Sequence, residues 1–456
     1  MRDHLRETVL SIRDLLATAV PFAALALVLL ALAYWWLDPA PPRTVVLATG
    51  QDQGAYAAFG KRYVELLKED GIEVRLRTTA GAAENAALLR QPDGDVDIAF
   101  VQGGADDAQP VGGDESDVPD DGLVSLGGLF YEPVWLFYRS DSAERLLHAP
   151  ELTSLPQLVG WRVNIGAPGS GIPHVMHLLF EANRIDPTTM TLVREAQTPS
   201  VAALLEGRID ALVFTSAPES LLVQMLLQTP GIRLFDFVQA EAYSRRFPFM
   251  SPVTLPRGVV DLARDIPPAD VHLIAPTATL VARKRIHPAL LQLFVQAAQQ
   301  VHGGAGWFQR KGDFPNPRDT QHPLAKEAQR FYASGPPVLQ RYLPFWLANL
   351  IDRMWPVLVT IVAALIPLSR MLPPLYTFRI RSRIFRWYRR LRDVENDIGI
   401  RPKDELLREL EAIERHVEHV RVPLSYADEL YALRTHIHMV AEHLIDPVLR
   451  DVPRVA

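Results

Sequence analysis

Cysteine is absent from all 456 residues of this chain. That removes disulfides, thiolate metal sites and a lipidated amino-terminal cysteine together, and any attachment to a membrane must then be made by the polypeptide itself. A basic excess is missing too. With 47 Lys and Arg against 53 Asp and Glu, the net charge is −6, so a nucleic-acid surface would have to be local. What is present is apolar: 48% hydrophobic residues, enough for a sizeable core in two or three domains. The strong local basic candidate is "RIRSRIFRWYRR", where six arginines fall between Arg379 and Arg390.

The residues before this cluster decide what it is for. Met354 to Leu372 ("MWPVLVTIVAALIPLSRML") is apolar apart from Ser369 and a terminal Arg370 able to snorkel, and arginines directly after an apolar span are a topology signal. A second apolar stretch, Ala17 to Leu37, has the length of a span, with Trp35 and Trp36 at its edge. Ala31-Leu32-Ala33 offers a signal-peptide cleavage site, but bulky Tyr34-Trp35-Trp36 follow it. Arg2, Arg6 and Arg13 precede this first stretch, so the positive-inside rule places both termini in the cytoplasm of a bacterial cell and the region between the spans in the periplasm. The expected order is a cytoplasmic 1–16, a transmembrane helix over 17–37, a periplasmic domain over 43–336, a transmembrane helix over 354–372, and a cytoplasmic basic segment and helical bundle over 379–456. The arginines then face the lipid bilayer of the inner membrane, with Trp387 and Tyr388 as interfacial anchors, and no nucleic-acid partner is expected.

Within the periplasmic part, "DPAPPR" (Asp38 to Arg43) is a stiff tether, and "TVVLATGQDQGAYAAFGKRYVELLKEDG" reads as strand, Gly-containing turn and helix. Strand "IEVRLRTT", helix "AENAALLRQ" and strand "DVDIAFVQ" follow, which predicts a mainly parallel sheet. The series then recurs from Trp161: "WRVNIGAPGSGIPHVMHLLFEANRI", "MTLVREA", "TPSVAALLEG" and "RIDALVFTS". Ala-Leu-Leu, a turn, and a strand opened by an aspartate (Asp97, Asp210) appear in both copies. Two similar α/β lobes are expected, lobe 1 over about 43–130 and 240–310 and lobe 2 over about 140–235. "LVSLGGLFYEPVWLFYRS" carries the chain across and "DVHLIAPTATLVAR" carries it back, leaving a cleft with a hinge.

Both Gly-rich turns, Ala48 to Tyr56 and Gly166 to Gly171, lie between a strand end and a helix start, where free backbone N–H groups and the helix dipole favour an anion such as a carboxylate. In the first turn Thr49, Gly50, Gln53 and Tyr56 are ligand candidates, each also readable as ordinary capping. Gly81 and Asn85 open the next helix, with Glu84 read as its cap. Gln102 ends a buried strand at the cleft edge. Tyr131 and Glu132 lie in the crossing, where Tyr131 can stack on a ligand and Glu132 can receive an ammonium. In the second turn Gly169, Ser170 and Gly171 aim N–H groups at an anion; Ser170 is not a serine nucleophile, since Pro168 breaks the G-x-S-x-G elbow. The acid-rich "DDAQPVGGDESDVPDDG" lacks the spacing of a calcium loop and reads as a solvated insertion. The pair His174/His177 has no acidic or thiol partner nearby and the pair His416/His419 has surface-like neighbours, so neither metal nor cofactor is expected.

At these residues the chain resembles the TAXI family of solute receptors of tripartite ATP-independent periplasmic (TRAP) transporters, in a membrane-anchored subgroup. The stretches that carry the resemblance are "ATGQDQGAY", "TTAGAAENAALL", "DVDIAFVQ", "LFYEPVWLFYR", "RVNIGAPGSG" and "SPVTLPRG…VHLIAPTATLVAR", with the tail "FYASGPPVLQRYLPFWLANLIDRMW". It departs from the family's usual pattern at Gln51-Asp52-Gln53 and at Ile172. The resemblance implies a two-lobed, type II-like periplasmic-binding α/β fold, closure on a small organic acid or amino acid, and delivery to a TRAP-type permease.

The carboxy-terminal part, Asp404 to Ile445, shows helical apolar periodicity broken at "VPLSYAD", with Ser425 as a cap, and predicts a helical hairpin packed with a helix from Arg381 to Val394. A transport receptor has no use for such a bundle, so a transmembrane ligand sensor is the alternative function. An enzyme ranks below both, because neither cleft loop carries a nucleophile beside a base or a pair of placed carboxylates.

Overall fold

The computed structural model describes residues 20–36, 41–105, 121–318, 321–336, 338–420, 422 and 426–445. The arginines at 2, 6 and 13, the first half of the Asp38–Arg43 tether, nearly all of the acid-rich insertion and the cap Ser425 lie outside them. Ala40–Asn349 form one compact unit, and the two terminal segments form another.

The larger unit is built on two sheets. In the first, β1 (Thr44–Ala48) pairs in parallel with β2 (Glu73–Arg77) and β3 (Ile98–Gln102). All five residues of β3 are buried, the apolar Ile98 to Val101 and the polar Gln102 that ends the strand. Helices α2 (Ala55–Glu69) and α3 (Ala82–Arg90) connect these strands, and α2 turns Tyr56, Phe59, Tyr63 and Leu67 inward at helical spacing. Tyr63 stacks on Phe294 of α9 (Pro288–His302), which with α10 (Lys326–Ser334) completes the lobe.

The second sheet has the order β7-β6-β8-β5-β9, from β5 (Val134–Arg139), β6 (Arg162–Asn164), β7 (Thr191–Val193), β8 (Ala211–Thr215) and β9 (Ile232–Leu234). Its helices are α4 (Ser140–Leu147), α5 (Ile172–Ala182), α6 (Gln197–Leu205), α7 (Leu221–Leu227) and α8 (Ala240–Arg246). Trp135, Phe137, Trp161 and Phe180 are fully buried in its core.

The internal repeat is a repeat of topology. β6 lies between β7 and β8 in parallel pairing, as β1 lies between β2 and β3. The recurring aspartates do the same work in each copy: Asp97 Oδ2 accepts from the N–H of Val46, and Asp210 Oδ2 accepts from the N–H of Arg162, both at 2.9 Å. Burial opposes ionisation of Asp210, but hydrogen bonds from the Arg162 side chain and N–H and from Ser142 outweigh it and hold the carboxyl down to about 2.

The chain crosses between sheets along two routes. β4 (Leu123–Tyr131) pairs with β11 (Val271–Arg283) in the first sheet, and after Glu132 and Pro133 the chain enters β5 in the second. β10 (Met250–Leu255) pairs with the first half of β11, whose Leu273 to Ala275 lie in the second core while Ala278 to Ala282 pair with β3. The Glu132 N–H donates to the Pro276 carbonyl at 2.9 Å and ties the crossings together.

Helix α11 (Phe345–Ser369), most of which belongs to the other unit, is long and apolar enough to cross a membrane, by length and composition, whereas α1 (Val20–Trp36) is a shorter apolar helix. Helices α12 (Leu372–Asn396), α13 (Lys403–Glu418) and α14 (Ala427–Ile445) form a three-helix bundle with its own core, including Ile384, Leu391, Val394, Leu410, Ile413 and Ile437. Trp387 and Tyr388 lie partly buried against that core, and Trp387 stacks on His416 at 5.3 Å, so their rings serve packing rather than standing free as interfacial anchors.

Candidate functional site

A cavity of about 80 Å³ opens where the carboxyl ends of the central strands of both sheets meet, the position at which open α/β sheets bind ligands. At about 10–15 Å³ for each water centre, it holds on the order of half a dozen waters or one small organic molecule. Four helices begin at its wall: α2 through Gly54 to Tyr56, α3 through Gly81 and Ala82, α5 through Ile172, and α6 through Gln197. Their first-turn N–H groups lack intrahelical partners, which makes this wall electropositive.

One buried acid interrupts it. Glu132 is 3% exposed, lines the cavity, and accepts a 2.6 Å hydrogen bond from the Tyr56 hydroxyl. Burial pushes its carboxyl up to about 7, against the opposing pull of the Tyr56 bond. Burial, and then the neighbouring Glu132, push the Tyr56 phenol well above its usual range. Tyr56 is fixed in turn by stacking on Phe100, with ring centroids 5.0 Å apart. Glu195, an exposed residue whose backbone pairs with the Asn164 amide, also lines the wall, and among the described lining residues none is Lys, Arg or His.

The lobes are clasped around this space. Thr215 Oγ1 donates to Gln102 Oε1 at 2.7 Å, Thr198 Oγ1 to Gln53 Oε1 at 3.0 Å, and the Glu84 N–H to the Gly169 carbonyl at 3.1 Å. Gly81, at φ +143°, makes the closest approach: a Cβ there would stand 2.9 Å from the Cα of Ser170.

Of the residues singled out from sequence, Gly50, Tyr56, Gly81, Gln102, Glu132 and Ser170 line the cavity. Ser170 spends its hydroxyl proton on the Ala167 carbonyl at 2.7 Å, leaving only lone pairs for a ligand. Thr49 and Asn85 stand behind the wall as a structural tie, in which the Asn85 amide donates to the carbonyls of Thr49 and Phe100 and accepts from Thr79 Oγ1. Gln53 belongs to the exposed interlobe clasp. Tyr131 packs edge-on against Phe314, at 5.0 Å between ring centroids, and does not line the cavity. Gly169 and Gly171, at φ +86° and +87°, shape the loop that lets α5 approach. Glu84 turns back past the start of its own helix, accepting from the Ala80 N–H, which precedes the N-cap Gly81, at 2.7 Å.

Sequence reasoning missed Asn164, Glu195, Gln197, Thr215 and Ser216, while Gln51 falls inside the first candidate turn. The signal for Thr215 was in the repeat: "IAFVQ" and "ALVFT" are matching strands, so Gln102 and Thr215 are equivalent positions. Among the described residues, no three His, Asp or Glu side chains gather as a metal site. His416 and His419 each set Nδ1 against a carbonyl of their own helix, those of Ala412 and Arg415.

Comparison with known proteins places this geometry in context. A family model described as the NMT1-like family matches residues 47–298. No curated protein matches. Among solved structures, the alkanesulfonate-binding protein SsuA from Xanthomonas axonopodis pv. citri bound to MOPS is 13% identical with a TM-score of 0.37, over 57% of this chain and 74% of that one. A putative L-cystine ABC transporter from Listeria monocytogenes is 13% identical with a TM-score of 0.34, over 57% and 90%. The BenM effector-binding domain with benzoate is 11% identical with a TM-score of 0.35, over 57% and 93%. The fold is α/β, two-sheeted and periplasmic-binding-like.

Proposed function

This chain belongs to the NMT1-like family, and from that premise we propose that it is a non-enzymatic solute receptor, capturing a small organic acid or amino acid between its lobes for a TRAP-type secondary transporter. The observation that carries this reading is the clasped cavity, with four helix N-termini at its wall and side chains of both lobes bonded across it. The crossings at Glu132-Pro133 and Pro276-Thr277 act as the hinge, since chain passes between the sheets there. The TAXI resemblance of the cleft motifs supports the TRAP permease as partner. Two spans, over 17–37 and 354–372, hold the receptor to a bacterial inner membrane with the lobes in the periplasm and both termini in the cytoplasm; the apolar character of α11 supports this.

The test is a thermal-shift screen of the full chain in detergent against organic acids and amino acids. A ligand present at a hundred times its Kd stabilises the form that binds it by about 2.7 kcal/mol. A clear rise in midpoint with members of either class supports capture, and a flat response across both rejects it.

The bundle of α12 to α14 favours a second reading, a transmembrane sensor that reports ligand to the cytoplasm, because an independently packed core is more than an anchor needs. A ligand-dependent transcriptional or motility response that requires the bundle, in cells whose uptake does not, would establish the sensor instead.

A further inference from the structure

The cleft contains an acid that no cationic side chain among its described lining residues balances. Glu132 is 3% exposed, and among the described residues its carboxylate has a single protein hydrogen bond, from the neutral Tyr56 hydroxyl. None of the described lining residues is a cation. A buried carboxylate is costly unless it is paired, and Tyr56 supplies direction but no charge. Gln102 is unbalanced in the opposite sense. It is 2% exposed, its Oε1 is taken by Thr215, and its Nε2 donor is buried with no protein partner among the described residues. The residues that carry this acceptor in need of a cation and this donor in need of an oxygen both line one small cavity.

We propose that this cleft contains an ammonium subsite, in which Glu132, oriented by Tyr56, accepts hydrogen bonds from a protonated amine of the solute while Gln102 Nε2 donates to an oxygen of the same molecule. This rests on the solute-capture reading and narrows it: amine-bearing solutes bind, and organic acids without an amine are rejected. An anion alone would find the helix N-termini favourable but would lie close to a buried carboxylate, and it would leave Glu132 unpaired. A zwitterion satisfies both ends. Burial pushes the Glu132 carboxyl up to about 7, and an ammonium beside it restores the ionised form, so amine binding releases a proton near neutral pH. A protonated Glu132 donating to a plain acid would release none.

The test is isothermal titration calorimetry on the full chain in detergent micelles, in buffers of differing ionisation enthalpy. The probes are matched trios of about four to six carbons, sized to the cavity: an alkylamine, an α-amino acid and an unbranched carboxylic acid. Amino acids are expected to bind at least about tenfold more tightly than the matched acids, with proton release at pH 7. Glu132→Gln keeps the acceptor for Tyr56 and is expected to weaken amine-bearing probes by about tenfold or more. Tyr56→Phe, which keeps the ring on Phe100, is expected to weaken them by about threefold and serves if Glu132→Gln fails to fold. Acids binding as tightly as amino acids, or Glu132→Gln binding amines normally, would overturn the subsite and leave solute capture standing. No binding by any member of the trios would remove both.

Discussion

In the unfolded chain the Glu132 carboxyl titrates near 4.5, and in the fold burial lifts it to about 7. Between these values the unfolded chain has released the proton and the folded chain still holds it, so the stability contributed by the protonated form is complete below the lower value and is lost as pH rises through the upper one. The loss is on the order of 3 kcal/mol, from about 1.4 kcal/mol per unit. Urea denaturation of the full chain at pH 5 and pH 8 should show the wild type falling relative to Glu132→Gln; parallel curves would mean that Glu132 is not buried as described. Glu132 was legible from sequence as an acid in the crossing, and Gln102 as a polar strand end. The Tyr56 bond was not, because Tyr56 and Glu132 are 76 residues apart and meet only when α2 packs against the crossing.

Strands and helices followed their local patterns closely. "TVVLA", "IAFVQ" and "ALVFT" are strands, and the paired aspartates show why the copies recur: Asp97 and Asp210 each tie the start of a central strand to its neighbour. Removing the Asp210 carboxylate leaves the Arg162 N–H and guanidinium without it, and Asp210→Ala should destabilise the chain by about 2–4 kcal/mol by urea denaturation; an effect under about 0.5 kcal/mol would deny the network any structural weight. The clasp was harder to read, since it depends on where two lobes meet rather than on periodicity in either. Gly81→Ala tests it. The added Cβ collides with the Ser170 backbone, so the lobes should remain folded by circular dichroism while ligand affinity falls by about tenfold or more. Retained affinity would mean that closure does not need this contact.

For the molecule as a whole, the long apolar helix before the arginine cluster was visible as an apolar run and the helical hairpin as periodicity. What the arginine stretch does inside the fold was not, because its ring and aliphatic side chains serve the bundle: Trp387 stacks on His416, and Ile384 is buried with Leu391 and Val394 of α12 in the core shared with α13 and α14. Removal of residues 403–456, with Ile384, Leu391 and Val394 made polar so that the bared face stays soluble, should leave solute uptake in cells near its original rate if the chain is a receptor. Loss of uptake at normal protein levels would show that the bundle couples to the permease. The most direct test of the central claim, closure of two lobes on a solute, uses the absence of native cysteine. Glu69→Cys and Glu206→Cys, both exposed and on opposite lobes, give a single spin-label pair across the cleft. Pulsed electron paramagnetic resonance on this variant, without and with a mixture of small amino acids and organic acids, should show a broad distance distribution collapsing to one shorter, narrow distance. An unchanged distribution at saturating mixture would contradict the account.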